Sequence, residues 1–184
     1  MKKSNLSIFL TALFILFTSV SHAHEKKWPE RRLRQTWPEA QSFTSKQVSL
    51  SSSQVADLAK EGVKIDSRQR SPIFYFAQAK GGTPDKPLGV ILFIDALGST
   101  GVIEVSVAMG ANGQVAKVDL WEHSENPSLA KPEFLNQFVG KSSSDSFTIN
   151  SDYKPVAGAM KASEAVANAT RDALKISSTI FKKK

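Results

Sequence analysis

The stretch that decides the fold is Asp152–Val166, which reads DYKPVAGAMKASEAV. It passes from a turn-like segment through Gly158 into the part of the chain that most favours a helix, predicted over Lys161–Ile176. Small apolar residues recur there at steps of three and four, the period of one buried helix face. They are Ala162, Ala165, Val166, Ala169, Ala173 and Ile176. The sequence therefore predicts a helix that packs through its alanine face.

The start of this helix has the composition of an anion site. Gly158 and Ala159 carry no bulk, so backbone can pass close to a ligand. The first turn offers N–H donors and a positive dipole end, and Lys154 and Lys161 flank it. The alternative is an ordinary turn before an ordinary helix, because a lone Gly-Ala pair is common there.

The N-terminus has the pattern of a secretory signal peptide, predicted over Met1–Ala23. Lys2 and Lys3 precede an apolar run over Leu6–Phe17, and Ser21-His22-Ala23 supplies a small-x-small cleavage site. Removal of 23 of the 184 residues leaves 161, enough for one domain. We expect the mature chain, residues 24–184, to be soluble and periplasmic.

Composition excludes several classes of function. The chain has no cysteine, which rules out disulfides, thiol nucleophiles and thiolate metal sites. Only His24 and His123 remain after processing, so a multi-histidine metal site is not expected, and no serine lies in a G-x-S-x-G motif. The formal net charge of +7 falls to +5 once Lys2 and Lys3 are removed, with the excess at the termini. We expect no nucleic-acid binding and at most peripheral membrane contact.

The N-terminal extension, residues 24–87, is predicted to supply short elements. Pro29–Ala40 is a predicted helix, and Phe43–Leu50 alternates as a strand would. The candidate core anchors of the first helix are Trp28, Leu33 and Trp37. Ser51 is the predicted cap of a second helix that ends near Gly62.

Four strands are predicted between residues 72 and 122. They are Pro72–Lys80, Leu88–Ala96, Val102–Met109 and Gln114–Glu122, separated by breaks at Gly81–Pro87, Gly98–Gly101 and Asn112-Gly113. The Asn-Gly pair is the strongest hairpin signal in the chain. On the last strand, the expected inward residues are Ala116, Val118 and Leu120, with Lys117 and Asp119 outward.

Consecutive strands joined by tight turns predict an antiparallel sheet with one covered face. The expected cover is a pair of C-terminal helices, Pro132–Val139 and Lys161–Ile176, followed by a basic tail over 177–184. The predicted fold class is therefore α+β, in a single domain.

A loop of mixed composition follows the predicted sheet. It runs over Trp121–Leu129 and reads WEHSENPSL, with polar groups, a proline and bulky apolar residues at the end of a strand. Such loops often form sites. The alternative is a surface connection with Trp121 and Leu129 packed beneath it.

Taken in order, these pieces resemble the periplasmic FMN-binding domain family, the flavin-carrying subunits of sodium-pumping quinone reductases and Rnf-type complexes. The family's pattern is an E-H-x-E-T-P-x-L-type loop, a helix reading F-x-x-Q-F-x-G-K-S, and an S/T-G-A-T segment before a helix. The matching segments are Glu122–Leu129, Phe134–Ser142 and Ala157–Met160. The resemblance covers residues 88–176.

The resemblance breaks at the residue that matters most for flavin attachment. In the family, the last threonine of S/T-G-A-T is esterified by the FMN phosphate, and this chain has Met160 there. A thioether cannot form a phosphoester. Ala157 and Ala162 also replace usual hydroxyl residues. An alternative role for Met160 is to fill the space that the ligand leaves.

The resemblance implies a non-covalent FMN protein that exchanges electrons with a membrane-bound or periplasmic redox partner, rather than an enzyme with its own substrate. The resemblance implies that the flavin ring is contacted by Trp121, His123, Pro127 and Leu129. It implies that the phosphate is held at the helix start, by Ala157, Gly158, Ala159, Met160, Lys161 and a hydrogen bond from Ser163. The alternatives are that Ser163 is a hydrogen bonder at the helix terminus and that Lys161 is solvated. The alternative is a flavin-free member that serves as a binding module or an accessory to a membrane redox complex.

Overall fold

The computed structural model describes residues 28–67, 69–83 and 86–181. The predicted signal peptide, Met1–Ala23, and His24 lie outside these residues. Four helices are described, namely α1 (Glu30–Thr36), α2 (Ser52–Lys60), α3 (Pro132–Leu135) and α4 (Met160–Phe181). None of the helices in the described part of the chain is long and apolar enough to cross a membrane.

Five antiparallel strands form one sheet, in the order in which they occur in the chain. They are β1 (Ser42–Gln47), β2 (Ile73–Gln78), β3 (Gly89–Leu97), β4 (Val102–Gly110) and β5 (Val115–Leu120). Gly113 has a φ of +77° in the β4–β5 turn, which the predicted Asn-Gly hairpin requires. The α+β class and the antiparallel sheet are confirmed.

The main core lies between the sheet and α4. Ile103, Val105 and Val107 of β4 are fully buried on this face, beside Ala162 and Val166 of α4. The predicted packing face of the C-terminal helix is therefore confirmed.

Ser51 caps α2 in a capping box with Gln54, as its position predicts.

The opposite face of the sheet is also covered, which the sequence prediction of a single covered face missed. Leu33 of α1 is fully buried in a second apolar cluster with Ile91 and Ala108, and Trp37 packs against it. Lys117 donates to the Gln35 carbonyl oxygen at 2.7 Å. The predicted outward face of β5 thus lies under α1, and of the three predicted anchors Trp28 is exposed.

Ala116 is exposed, so its predicted inward position is wrong. Met109 pairs with Val115 and Ala108 pairs with Lys117, which leaves Ala116 as the extra residue of a β-bulge. The bulge restores the predicted alternation afterwards, because Val118 is buried and Leu120 packs against the core.

The C-terminal helix extends beyond its predicted end at Ile176 to Phe181. Ser177 is buried, and the Phe181 ring makes an edge contact with Phe74 at 4.9 Å between centroids. The predicted basic tail over 177–184 is therefore helical at least as far as Phe181. Residues 132–138 form α3 and a following 3-10 turn, where a short helix was predicted.

Candidate functional site

The start of α4 is a surface feature. Ala157, Gly158 and Lys161 are exposed, and Met160 is 56% exposed. Gly158 has a φ of +73°, and no atom lies within 4 Å of where its Cβ would be. The predicted role of Met160 as a filler of vacated space is wrong, because its side chain lies mostly in solvent. The first-turn N–H groups of α4, which have no intrahelical acceptor, begin at this open surface.

Ser163 stabilises the fold at the start of α4. Its side chain is fully buried, its hydroxyl donates to the Ala159 carbonyl oxygen at 2.9 Å, and it accepts from the Val156 N–H at 3.0 Å. The hydroxyl is therefore engaged on both sides, which fits the alternative that Ser163 is a hydrogen bonder at the helix terminus, and it is not available to donate to a phosphate in this conformation. Ser163 instead fastens the turn that leads into α4.

The segment before the turn is held by the helix motif Phe134–Ser142. Gln137 accepts from the Lys154 N–H at 2.8 Å and donates to the Lys154 carbonyl oxygen at 3.2 Å. The Phe134 and Tyr153 rings meet at 6.5 Å between centroids. The second motif thus positions the backbone that presents Gly158.

Trp121 and Leu129, two residues of the loop after β5 that were predicted to contact the flavin ring, lie on opposite faces of the sheet. The Trp121 indole N–H donates to Ser106 Oγ at 2.9 Å, on the face that α1 covers. Leu129 is fully buried in the core on the α4 side. The prediction that Leu129 contacts a flavin ring is wrong, because this side chain has no exposed surface. His123 is half-buried and Pro127 is exposed.

Glu125 is a structural residue that the sequence did not reveal. Its carboxylate accepts from the Thr100 N–H at 2.6 Å, and its own N–H donates to His123 Nδ1 at 3.3 Å. The N–H groups of Thr100, Ser99 and Gly101 hold the pKa of Glu125 below its ordinary value, with the Thr100 contact the largest cause. The loop after β5 is thereby tied to the β3–β4 turn.

An ion cluster lies beside Trp121. The Arg32 guanidinium of α1 forms ion pairs with Glu104 and Glu122, and its centre lies 5.6 Å from the Trp121 ring centroid. Burial raises the pKa of Glu104, against the lowering effect of Arg32. The ion pairs between α1 and the ends of the strands leave no local pattern in the sequence. The sequence alone therefore did not predict this cluster.

The residues at the start of α4 fit a phosphate group held without a covalent bond. Ala157, Gly158, Met160 and Lys161 are exposed, whereas Ala159 between them is buried. The exposed residues offer backbone donors, an open position at Gly158 and the Lys161 ammonium. A phosphoester is excluded at residue 160, because methionine has no hydroxyl. Trp121 and Leu129 do not join this surface through their described contacts.

Comparison with known proteins agrees with the fold. The crystal structure of NqrC from Shewanella oneidensis superposes with a TM-score of 0.55 at 16% identity, over 82% of this chain and 85% of that chain. A Na(+)-translocating NADH-quinone reductase component from Parabacteroides distasonis gives a TM-score of 0.52 at 14% identity, over 84% of this chain and 83% of that chain. No curated protein sequence matches this chain.

The chain therefore has a one-domain α+β fold that is similar to the fold of NqrC. Residues 98–175 match the family model described as the FMN-binding domain. The three motifs all lie within the matched residues, so the match confirms the resemblance drawn from them.

Proposed function

We propose that this chain is an exported electron-transfer protein of the periplasm that holds FMN without a covalent bond. The observation that carries the proposal is the family match over residues 98–175 combined with the open start of α4, where Gly158 and Lys161 are exposed. When bound, the flavin supplies the electron-transfer chemistry. The chain supplies position and charge.

The first turn of α4 would hold the phosphate. Backbone N–H groups point along the helix axis at its N-terminus, and the Lys161 ammonium offsets part of the negative charge. Gly158 gives the phosphate close access to the backbone, since no side chain stands there. Trp121, His123 and Pro127 remain predicted contacts of the ring.

The predicted signal peptide supports export, and the relatives support a redox partner. One relative is named as part of a Na(+)-translocating NADH-quinone reductase. For this chain we propose a membrane-bound or periplasmic redox protein as the partner. Intact mass of protein recovered from a periplasmic fraction should correspond to a chain that begins at His24. A full-length mass in the cytoplasmic fraction would contradict export.

The test of flavin binding is a titration of the exported protein with FMN, followed by visible absorption and flavin fluorescence. We expect one FMN per chain, released by denaturation. Lys161→Glu should weaken binding roughly tenfold, because it replaces attraction for the phosphate with repulsion. The matched control is Lys46→Glu, an exposed position on β1. A colourless protein with no titratable FMN would overturn the proposal.

The second candidate function is a flavin-free binding module or an accessory to a membrane redox complex. It is favoured by Met160 at the position of the phosphate-bonded threonine and by the engaged hydroxyl of Ser163. The same titration separates the two functions. Absence of binding would favour the second, and one FMN bound per chain at submicromolar affinity would exclude it.

A further inference from the structure

A cleft of about 830 Å³ opens between the chain entering α1 and the strands β2 and β3. Its aromatic wall is a row of three rings. Trp28 meets Tyr75 at 5.5 Å between centroids, and Tyr75 meets Phe93 at 5.6 Å, both edge to face. Trp28 is 42% exposed, so the row presents ring surface to solvent. Rings of this kind bind cations through their faces.

Among the residues that the structure describes, acidic side chains outnumber basic ones in the lining of the cleft. Its described lining has one guanidinium, that of Arg32, and four carboxylates, those of Asp66, Asp95, Glu104 and Glu122. The whole chain has a formal net charge of +7. This surface already holds one cationic side chain, since Arg32 lies between Glu104 and Glu122. Within the described residues, no three acidic or histidine side chains converge as metal ligands would.

An apolar projection stands beside the cleft. Leu97 and Val102 are directly opposite each other at the end of the β3–β4 hairpin, and they are 71% and 53% exposed. Pairing of β3 with β2 stops at Leu92, so the hairpin extends beyond its neighbour. By alternation, Leu97 lies on the same face as Asp95 and Phe93. Glu125 holds the turn in place through the Thr100 N–H.

We propose that the cleft and this hairpin end form a docking surface for a protein partner that presents a basic side chain beside an apolar one. The basic side chain would lie against the aromatic row and the carboxylates, and the apolar one against Leu97 and Val102. Complementary charge orients such an encounter, and a rigid turn lowers its entropic cost. An anionic membrane or a nucleic acid would be repelled by the same carboxylates.

The proposal concerns a partner and does not depend on flavin, so its test has no flavin readout. The ¹⁵N-labelled chain, purified after export, is titrated with a basic c-type cytochrome as the probe, and amide and indole shifts are followed. We expect shifts at Trp28, Tyr75, Leu97 and Val102, and binding that weakens as salt is raised. The matched probe is the same cytochrome with its lysines succinylated, which should not bind.

Two variants locate the contact, and each replaces an exposed apolar side chain of the proposed surface. Trp28→Ala and Leu97→Ser should each weaken binding by roughly tenfold. The control, Val139→Ser, removes another exposed apolar side chain, 47% exposed and far along the chain, and should leave binding unchanged. Shifts elsewhere, no binding, or equal binding by all three variants would overturn the proposal. So would sedimentation that shows self-association through Leu97, or binding to lipid vesicles.

Discussion

Glu125 joins two loops through a single carboxylate. It is 9% exposed, and a Cβ added at Gly98 would lie 2.2 Å from its Oε1, so carboxylate and turn are closely fitted. Because the pKa of Glu125 is lower in the folded chain, its ionised form stabilises the fold. This contribution is complete at neutral pH and is lost as the pH falls through the lowered pKa.

We therefore expect Glu125→Gln to lower the urea midpoint at pH 7. The difference from wild type should shrink as the pH falls below the ordinary glutamate value of 4.5. Urea unfolding followed by circular dichroism at several pH values measures this. Glu39→Gln is the control, since Glu39 is exposed. A difference that does not change with pH would contradict the role assigned to the carboxylate.

Met160 lacks the hydroxyl group that flavin attachment requires, although the site around it is accessible. Met160→Thr with Ala157→Ser restores hydroxyls at two exposed positions at the start of α4. Coexpression with a flavin transferase should then yield a fluorescent band that survives denaturing electrophoresis. Met160→Val with Ala157→Ser is the matched control, because valine has the shape of threonine without its hydroxyl. Failure of the threonine variant would show that the surrounding surface has also changed.

At the scale of one element, the start of α4 depends on Ser163. Ser163→Ala leaves the Val156 N–H without an acceptor, at a cost of about 1–3 kcal/mol in the free energy of unfolding. Ser177→Ala is the control within the same helix, since Ser177 donates only to the Ala173 carbonyl oxygen. Urea unfolding should rank Ser163→Ala as clearly the less stable. Equal losses would remove the special role of Ser163.

The sequence revealed the elements better than it revealed their ends. Periodicity predicted β4 and α4 because apolar residues recur regularly on one face of each. It ended the last helix at Ile176, because Ser177 and Ser178 read as polar, whereas Ser177 satisfies its hydroxyl within the helix. It also placed Ala116 inward, because a β-bulge leaves no mark in an alternating pattern.

On the scale of the whole molecule, the sheet is covered on both faces. At Gly89, the layer that contains α1 and Trp37 packs directly against the sheet. A Cβ at Gly89 would lie 2.2 Å from the Met109 carbonyl oxygen and 2.2 Å from Cη2 of Trp37. Gly89→Ala should therefore destabilise the fold by about 1–3 kcal/mol, through overpacking. Thermal melting measures the loss.

Two further variants separate the causes of the stability loss expected for Gly89→Ala. Gly89→Ala with Trp37→Leu should recover only part of the stability, because the Met109 backbone contact remains. Gly62→Ala tests a glycine where no atom lies within 4 Å of the added Cβ, so any loss there comes from its φ of +81° alone. A neutral Gly89→Ala would show that α1 packs less tightly than described.

The sequence predicted the α+β sheet but not its second layer. Leu33 and Trp37 were correctly identified as apolar anchors, yet which surface they contact depends on residues roughly 55 to 75 positions away, such as Ile91 and Ala108. The site was predicted in the same uneven way. Motif order located the start of α4, whereas the burial of Leu129 and Ser163 follows from tertiary packing that local pattern does not encode.

The exposed thioether of Met160 has a consequence for how the protein would be loaded. If FMN binds without a covalent bond, as proposed, mass action would set its occupancy, so the flavin-bound fraction would follow the free FMN concentration. The bound form is stabilised by RT ln(1 + [FMN]/Kd), about 2.7 kcal/mol at a hundredfold excess over Kd. The melting temperature would then rise with added FMN, so the stability of the fold would depend on the concentration of free FMN.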